Sequence, residues 1–244
     1  MIRSKLGLLG LCAVVLGVMA MSASTAQGAL WWLILNAAKT TATELKAALT
    51  GKSDSTHLSL DAELIGFKIA VTCTAFTFNN VNLELFGTLT TGGKAVFTGC
   101  KVFETAPLTK EYKCTVKSVG AAAGTVESNE LKGKLELVSV PPSNEIMARI
   151  EPTAGPTGNL ATLRFEGAEC VLPEVNQLHG TVYIRDPFPT THRLEHLIEP
   201  EWVHTNIYIG GHSAEKLFFT RLLGSAWVKL SGAHLGLDWG VLDF

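Results

Sequence analysis

The chain has 244 residues, 47% of them apolar and 17% charged, with a net charge of −2. That is enough apolar material for a sizeable core, and too much for a disordered chain. The near-neutral balance offers no basic field for nucleic acid or an anionic membrane, so neither is expected as a partner.

Arg3 and Lys5 precede an apolar run from Leu6 to Met21, and small residues follow it as far as Gly28. A charged start, an apolar middle and small residues at the end make a secretory signal peptide over residues 1–28. The run is slightly short for a membrane span, so no span is expected after its removal. Cys12 sits inside the run behind the bulky Leu11, which is the wrong setting for lipidation. Processing would leave 18 cations against 22 anions, a charge of −4. No low-complexity linker divides residues 29–244, which read as one β-rich domain.

Within that domain the dominant signal is alternation. Trp31 and Trp32 lie in an apolar run, 29–35, that suits a short strand. Residues 40–49 fit a helix or a strand, and 51–55 read as a polar turn. Phe67, Ile69, Val71 and Cys73 alternate with polar or small residues at period two. Phe76 and Phe78 fall on the opposite parity, so a bulge or crossing is expected near Ala75. Asn79-Asn80 reads as a turn, Leu83 to Leu89 as a strand, and Thr91-Gly92-Gly93 as a hairpin turn. Tyr112, Cys114 and Val116 resume the alternation. Leu131, Gly133, Leu135 and Leu137 form the inner face of a strand whose outer face is Lys132, Lys134 and Glu136. Pro141-Pro142 ends that strand. Strands follow at 146–150, 161–165 and 178–184. Pro187 to Trp202 breaks the rhythm and reads as a long connection holding a short helix. Alternation returns at 203–209, 217–223 and 226–230, and Trp239 and Phe244 are expected to pack the C-terminus down. About a dozen short strands with turn signals predict an antiparallel sandwich or a barrel-like domain.

Four cysteines outlast the signal: Cys73, Cys100, Cys114 and Cys170. Export makes disulfides available to them, and four cysteines allow three pairings. None is spaced Cys-x-x-Cys, so zinc-ribbon and thioredoxin-like chemistry lose their main support. The expected pairs are Cys100–Cys114 across a local hairpin and Cys73–Cys170 between distant strands.

Val71-Thr72-Cys73, Phe97-Thr98-Gly99-Cys100, Cys114-Thr115-Val116-Lys117-Ser118, Leu131-Lys132-Gly133-Lys134-Leu135 and Trp239-Gly240 together resemble a family of secreted actinobacterial proteins without assigned function. The resemblance implies export and a β-rich fold, and it brings no catalytic residues with it.

His192-Arg193-Leu194-Glu195-His196 spells His-x-x-Glu-His. On a helix, His192 and His196 would share a face and bind one zinc, with Glu195 as base and His204, Glu199 or Glu201 completing the site. A helix between Pro189 and Pro200 would be only about ten residues long and marginal without packing, so the segment is read first as a solvated loop. Gly211-His212-Ser213-Ala214-Glu215 lacks the final Gly of a nucleophile elbow, and 87–94 misses the phosphate-loop spacing by one residue. Trp31, Trp32, Trp202 and Trp227 would stack on sugars if exposed, although core packing is the commoner use of such residues. His57, His179 and His234 stand alone. The expectation is a secreted or cell-envelope protein with a binding or structural role, no cofactor and no catalytic residue. The alternatives are a zinc-dependent extracellular hydrolase and a carbohydrate-binding module in contact with glycan or envelope.

Overall fold

The computed structural model describes residues 30–35, 47–53, 58–64, 67–84, 87–104, 110–140, 143–172, 174–209 and 218–243. The signal peptide with Cys12, the Pro107 loop, His57, Gly210-Gly211 with the 211–215 motif, Phe244, and the side chains of Trp202 and His204 lie outside the described residues. What is described is mainly β. The first strands are β1 (Leu30–Ile34), β2 (Ala47–Ser53), β3 (Leu58–Leu64), β4 (Phe67–Cys73), β5 (Ala75–Asn79) and β6 (Asn82–Leu83). They are followed by β7 (Thr88–Thr98), β8 (Lys101–Glu104), β9 (Thr115–Ser118), β10 (Val126–Glu127), β11 (Leu131–Val140) and β12 (Ser143–Pro152). The last are β13 (Asn159–Glu166), β14 (Val175–Arg185), β15 (Glu195–Ile209), β16 (Phe218–Leu223), β17 (Ala226–Leu230) and β18 (Trp239–Asp243).

Eight of these strands close a ring in the order β2-β6-β7-β11-β12-β14-β15-β17, and β17 returns to β2. Each neighbouring pair is antiparallel. Closure removes the unpaired edges that an open sheet would expose. Three ring strands are long and change partners along their length. β15 pairs with β17 over Glu195–Ile198 and with β16 over Thr205–Ile207. Past the ring, β16 carries β3, β4 and β8, and β14 carries β13 and β9. The far half of β7 pairs with β5 and β10.

Two cores result. Trp32, Ile34, Leu49, Leu83, Val228, Leu230, Trp239 and Val241 fill one, into which the β1–β18 ribbon packs its inner face. Ile69, Val71, Val102, Val116, Leu163 and Phe165 fill the other, under the outer strands. On β11 and β12 the alternation holds as expected. Leu131, Ala148 and Ile150 face the interior. Lys134, Glu136, Arg149 and Glu151 are linked by ion pairs on the opposite face. The wall there is apolar inside and charged outside, the reverse of a transmembrane barrel. Among the described residues no helix is long and apolar enough to cross a membrane.

The expected crossing near Ala75 is present: β4 pairs with β3 and β8, whereas β5 joins β7. The Asn79-Asn80 turn is present too, with Asn80 at φ 56°. Other expectations need correction. Residues 51–53 lie in strand β2, because Gly51 to Ser53 pair with Val228, Trp227 and Ala226. The single strand expected at 83–89 is a hairpin, in which Leu83 pairs with Leu89. Thr91-Gly92-Gly93 is no hairpin turn. It sits inside β7 at a register shift against β11, where Gly93 pairs with Leu131 and Leu89 with Gly133. Gly92 has φ 96°, which fits a bulge that bends β7 from the ring toward β5. Gly92→Val places a β-branched residue at that φ and is expected to cost about 1–3 kcal/mol in chemical denaturation.

The segment 187–202 is not a long connection with a helix. The connection covers only 186–194, and residues from Glu195 onward belong to β15. Pro200 is tolerated because its partner Ile184 lies beside a register shift between Val182 and Tyr183, where the ladder is already interrupted. The long partner β14 forces this outcome on a sequence whose prolines suggest a loop.

Two disulfides form, with pairs other than those expected. Cys73 joins Cys100, and Cys114 joins Cys170. The reason is strand pairing. Thr72 is opposite Lys101 across β4 and β8, so Cys73 and Cys100 meet at the end of that ladder. Thr115 is opposite Glu166 across β9 and β13, and a turn at Gly167 returns Cys170 to Cys114. Disulfides of this kind belong to an oxidising, extracellular type of environment.

Candidate functional site

The ring strands line an apolar cavity of about 240 Å³ that continues under the outer strands, where Leu60, Val71, Phe76, Val126 and Leu163 complete its wall. Each of the eight ring strands contributes to the lining: Leu49 from β2, Leu83 from β6, Leu89 from β7, Leu131 from β11, Ala148 and Ile150 from β12, Leu178, Val182 and Ile184 from β14, Ile198 from β15 and Val228 from β17. The regular spacing on β12 and β14 is the inward parity of alternating strands. Eight strands give an interior that side chains can just fill or that holds one small ligand. Here the side chains leave it open, and the small Ala148 is among the inward residues. The hydroxyls on the lining are engaged: Ser59 donates to Asp61 at 2.6 Å, and Ser128 donates to the Asn129 carbonyl at 2.8 Å while accepting from the Ala95 N–H at 2.9 Å. A void of this size, if left unfilled, would cost about 6 kcal/mol at roughly 24 cal/mol per Å³. That is comparable with the whole net stability of many domains.

A smaller cavity of about 40 Å³ adjoins it. The two share Trp32, Ala148, Ile184, Ile198 and Trp239 in their linings. The small one has a polar side formed by Asp186 and His196. His196, on the inner face of β15, is 1% exposed. Its Nε2 donates to the Trp239 carbonyl at 2.8 Å, and its Nδ1 is hydrogen-bonded to the Asp186 carboxylate. A carbonyl only accepts, so Nε2 must carry its own proton. The ring lies against the Trp239 indole, with centroids 4.2 Å apart. Asp186 also accepts the Phe188 N–H at 2.9 Å, which fixes the start of the connection. β18 is tied to that connection in turn, because Arg193 and Trp239 exchange backbone hydrogen bonds at 3.1 and 3.0 Å.

The two tryptophans beside the small cavity differ in one respect. Trp32 Nε1 donates to the Thr88 carbonyl at 3.0 Å. Trp239 is 4% exposed, yet among the described residues none accepts from its Nε1. An unpaired donor this deeply buried costs about 1–3 kcal/mol and calls for an explanation. His192 Nε2 is also buried without a partner among the described residues. Burial pushes the His192 imidazole below its ordinary range, the positive field of His196 adds to this, and Asp238 opposes it. Gly240 lets the segments approach, since a Cβ there would lie 3.2 Å from both His192 Cδ2 and the Pro189 carbonyl oxygen. Gly240→Val should displace the connection and lower stability by about 1–3 kcal/mol, measurable as a shift of the urea midpoint.

The zinc constellation is not assembled by the described side chains. On a strand, Glu195 and His196 point to opposite faces. Glu195 pairs outside with Lys229 at 3.3 Å and Lys52 at 3.8 Å, while His196 is spent on Asp186 and Trp239. Among the described residues no group of three metal-ligating side chains converges. Of the tryptophans considered for sugar stacking, Trp32 is buried in the core and Trp31 and Trp227 are half-buried. His179 is held by the Thr157 carbonyl at 3.0 Å and by Gln177. Sequence reasoning missed the cavity, Asp186, and the part Trp239 plays. Alternation marks the inward residues but not how much space they leave. Comparison with protein-family models, curated proteins and solved structures found no match.

Proposed function

We propose that the protein is an exported, non-enzymatic carrier that holds a small apolar molecule inside its β-barrel. The observation that carries this reading is the cavity of about 240 Å³ to which all eight ring strands contribute. The void's cost, large against the net stability, is recovered when a ligand that binds only the folded state fills it. Export is supported by the signal-like N-terminus, by the two disulfides, and by the likeness of the Cys100 and Cys114 motifs to those of secreted actinobacterial proteins. A binding role is favoured over catalysis because the buried histidine has both nitrogens committed within the protein.

Thermal unfolding tests it. A small hydrocarbon at about one hundred times its dissociation constant adds roughly 2.7 kcal/mol, which for a chain of this size is a rise of about 5–10 °C in Tm. Ala148→Leu points a larger side chain into the shared lining. It should raise the Tm of the free protein, as cavity filling commonly adds about 0.5–2 kcal/mol, and it should abolish the ligand-induced rise. A hydrocarbon response that survives Ala148→Leu undiminished would place binding elsewhere.

A further inference from the structure

The cavity is long rather than round. A strand runs along one side of the wall, so the residues it contributes measure the length. On β14 these are Leu178, Val182 and Ile184, and the strand rises about 20 Å from the first to the last. The two ends lie in different cores. Ile184 lines the wall beside Trp32 and Trp239, where the smaller cavity adjoins, whereas Leu178 packs on the core under the outer strands. β7 repeats the pattern: Leu89 packs on the Trp32 core, and Phe97, past the bend at Gly92, packs on the outer one. A ball of about 240 Å³ would be only about 8 Å across and could not reach both ends. We propose that the ligand is an unbranched alkyl chain, laid lengthwise from the Trp32–Trp239 end of the barrel to the core under the outer strands, with no polar group inside. This rests on the carrier reading above and adds the ligand's class and pose.

The wall offers a polar group nothing to bind. Beyond Ser59 and Ser128, already engaged, Thr90 donates to Glu84 at 3.3 Å and Lys132 is held by Glu151 at 3.3 Å. Trp239 Nε1 is shut in by protein and faces neither cavity. A hydroxyl, carbonyl or carboxylate carried inside would lose its water and gain no partner, which costs more than a methylene gains. Width excludes rings and branches. The volume is small for its length, so a wider body would have to push packed side chains apart. An apolar cavity of roughly 150 Å³ takes benzene, so about 240 Å³ scales to a chain of about ten carbons.

The test equilibrates the mature wild-type protein with hydrocarbon vapour and reads uptake from the headspace by gas chromatography. Each uptake is divided by the compound's own partition into liquid hexadecane, which removes differences in hydrophobicity. Decane and adamantane share a carbon count, one extended and the other globular. On this scale decane should exceed adamantane by about tenfold or more, because a body too wide for the interior pays the cost of overpacking. Across hexane, octane, decane and tetradecane, uptake should hold level to decane and fall at tetradecane. In methyl-labelled protein, decane should give nuclear Overhauser contacts both to Ile184 and to Val71 or Leu163. Decanoate separates two sources of such a chain. Contacts from its methylenes to both ends identify a lipid tail whose head stays outside, no binding identifies a free hydrocarbon, and either agrees with the proposal. Adamantane taken up as well as decane, tetradecane taken up as well as decane, or decane contacts confined to one end would overturn the proposal and leave the carrier reading intact. Uptake of no hydrocarbon overturns both.

Discussion

His196→Ala is expected to destabilise the protein by about 3–5 kcal/mol, a large part of the net stability of a typical domain. Three losses combine. The Asp186 carboxylate loses the ring hydrogen-bonded to it, the Trp239 carbonyl loses the Nε2 donor at 2.8 Å, and a hole opens against the Trp239 indole. Breaking a buried pair costs more than the pair contributes, because the abandoned group stays desolvated. The double variant Asp186→Ala with His196→Ala should therefore be less destabilised than the sum of the singles, by about 1–3 kcal/mol of coupling. Urea denaturation of the four proteins gives the cycle. A zinc enzyme would behave differently: His196→Ala would remove a bound metal and leave the fold largely alone. A mild loss of stability with loss of stoichiometric zinc would defeat the structural role assigned to this histidine.

The same residues show what was legible in the sequence. Period-two alternation identified β4, β11, β12, β13 and β14, because a strand with one buried face must alternate. It identified the sheet crossing after Cys73, because parity changed between Val71 and Phe76. It did not reveal partners. The pairing of β4 with β8 and of β9 with β13 is long-range, and no local residue encodes it, so the disulfides were matched to the wrong neighbours. It also gave the wrong structure to His192 through His196. That segment satisfies a helical motif on paper, yet β17 pairs with Glu195 to Ile198 and β14 takes over from Glu199 onward. Tertiary pairing overrode the local signal, as it commonly does for short ambiguous stretches. The cavity was illegible for a related reason. It depends on how much space inward residues such as Ala148 leave inside a closed ring, and closure is a property of eight strands together.

Replacing both Cys114 and Cys170 with serine should lower stability by about 4 kcal/mol, since the bridge closes a loop with a sequence separation of 56. For a chain of this size that is a fall in Tm of roughly 8–16 °C. The Cys73–Cys100 bridge, with a separation of 27, restrains the unfolded chain by about 3.6 kcal/mol on the same entropic account. Its removal should nevertheless be at least as damaging. Both of its cysteines are buried in the core under the outer strands, so serine there also buries a hydroxyl that needs a partner. Accessibility orders the response to reductant as well: the half-buried Cys114–Cys170 bridge should open first as dithiothreitol is raised. The thiol count then tests the topology itself. In Cys114→Ser with Cys170→Ser, the other two cysteines remain bridged and no free thiol is titratable in the native protein. Had the bridges been Cys100–Cys114 and Cys73–Cys170, each remaining cysteine would have lost its partner and two thiols would react. Finding two would mean that β4 and β8 are not neighbours, and with them would go the order of strands on which the closed ring depends.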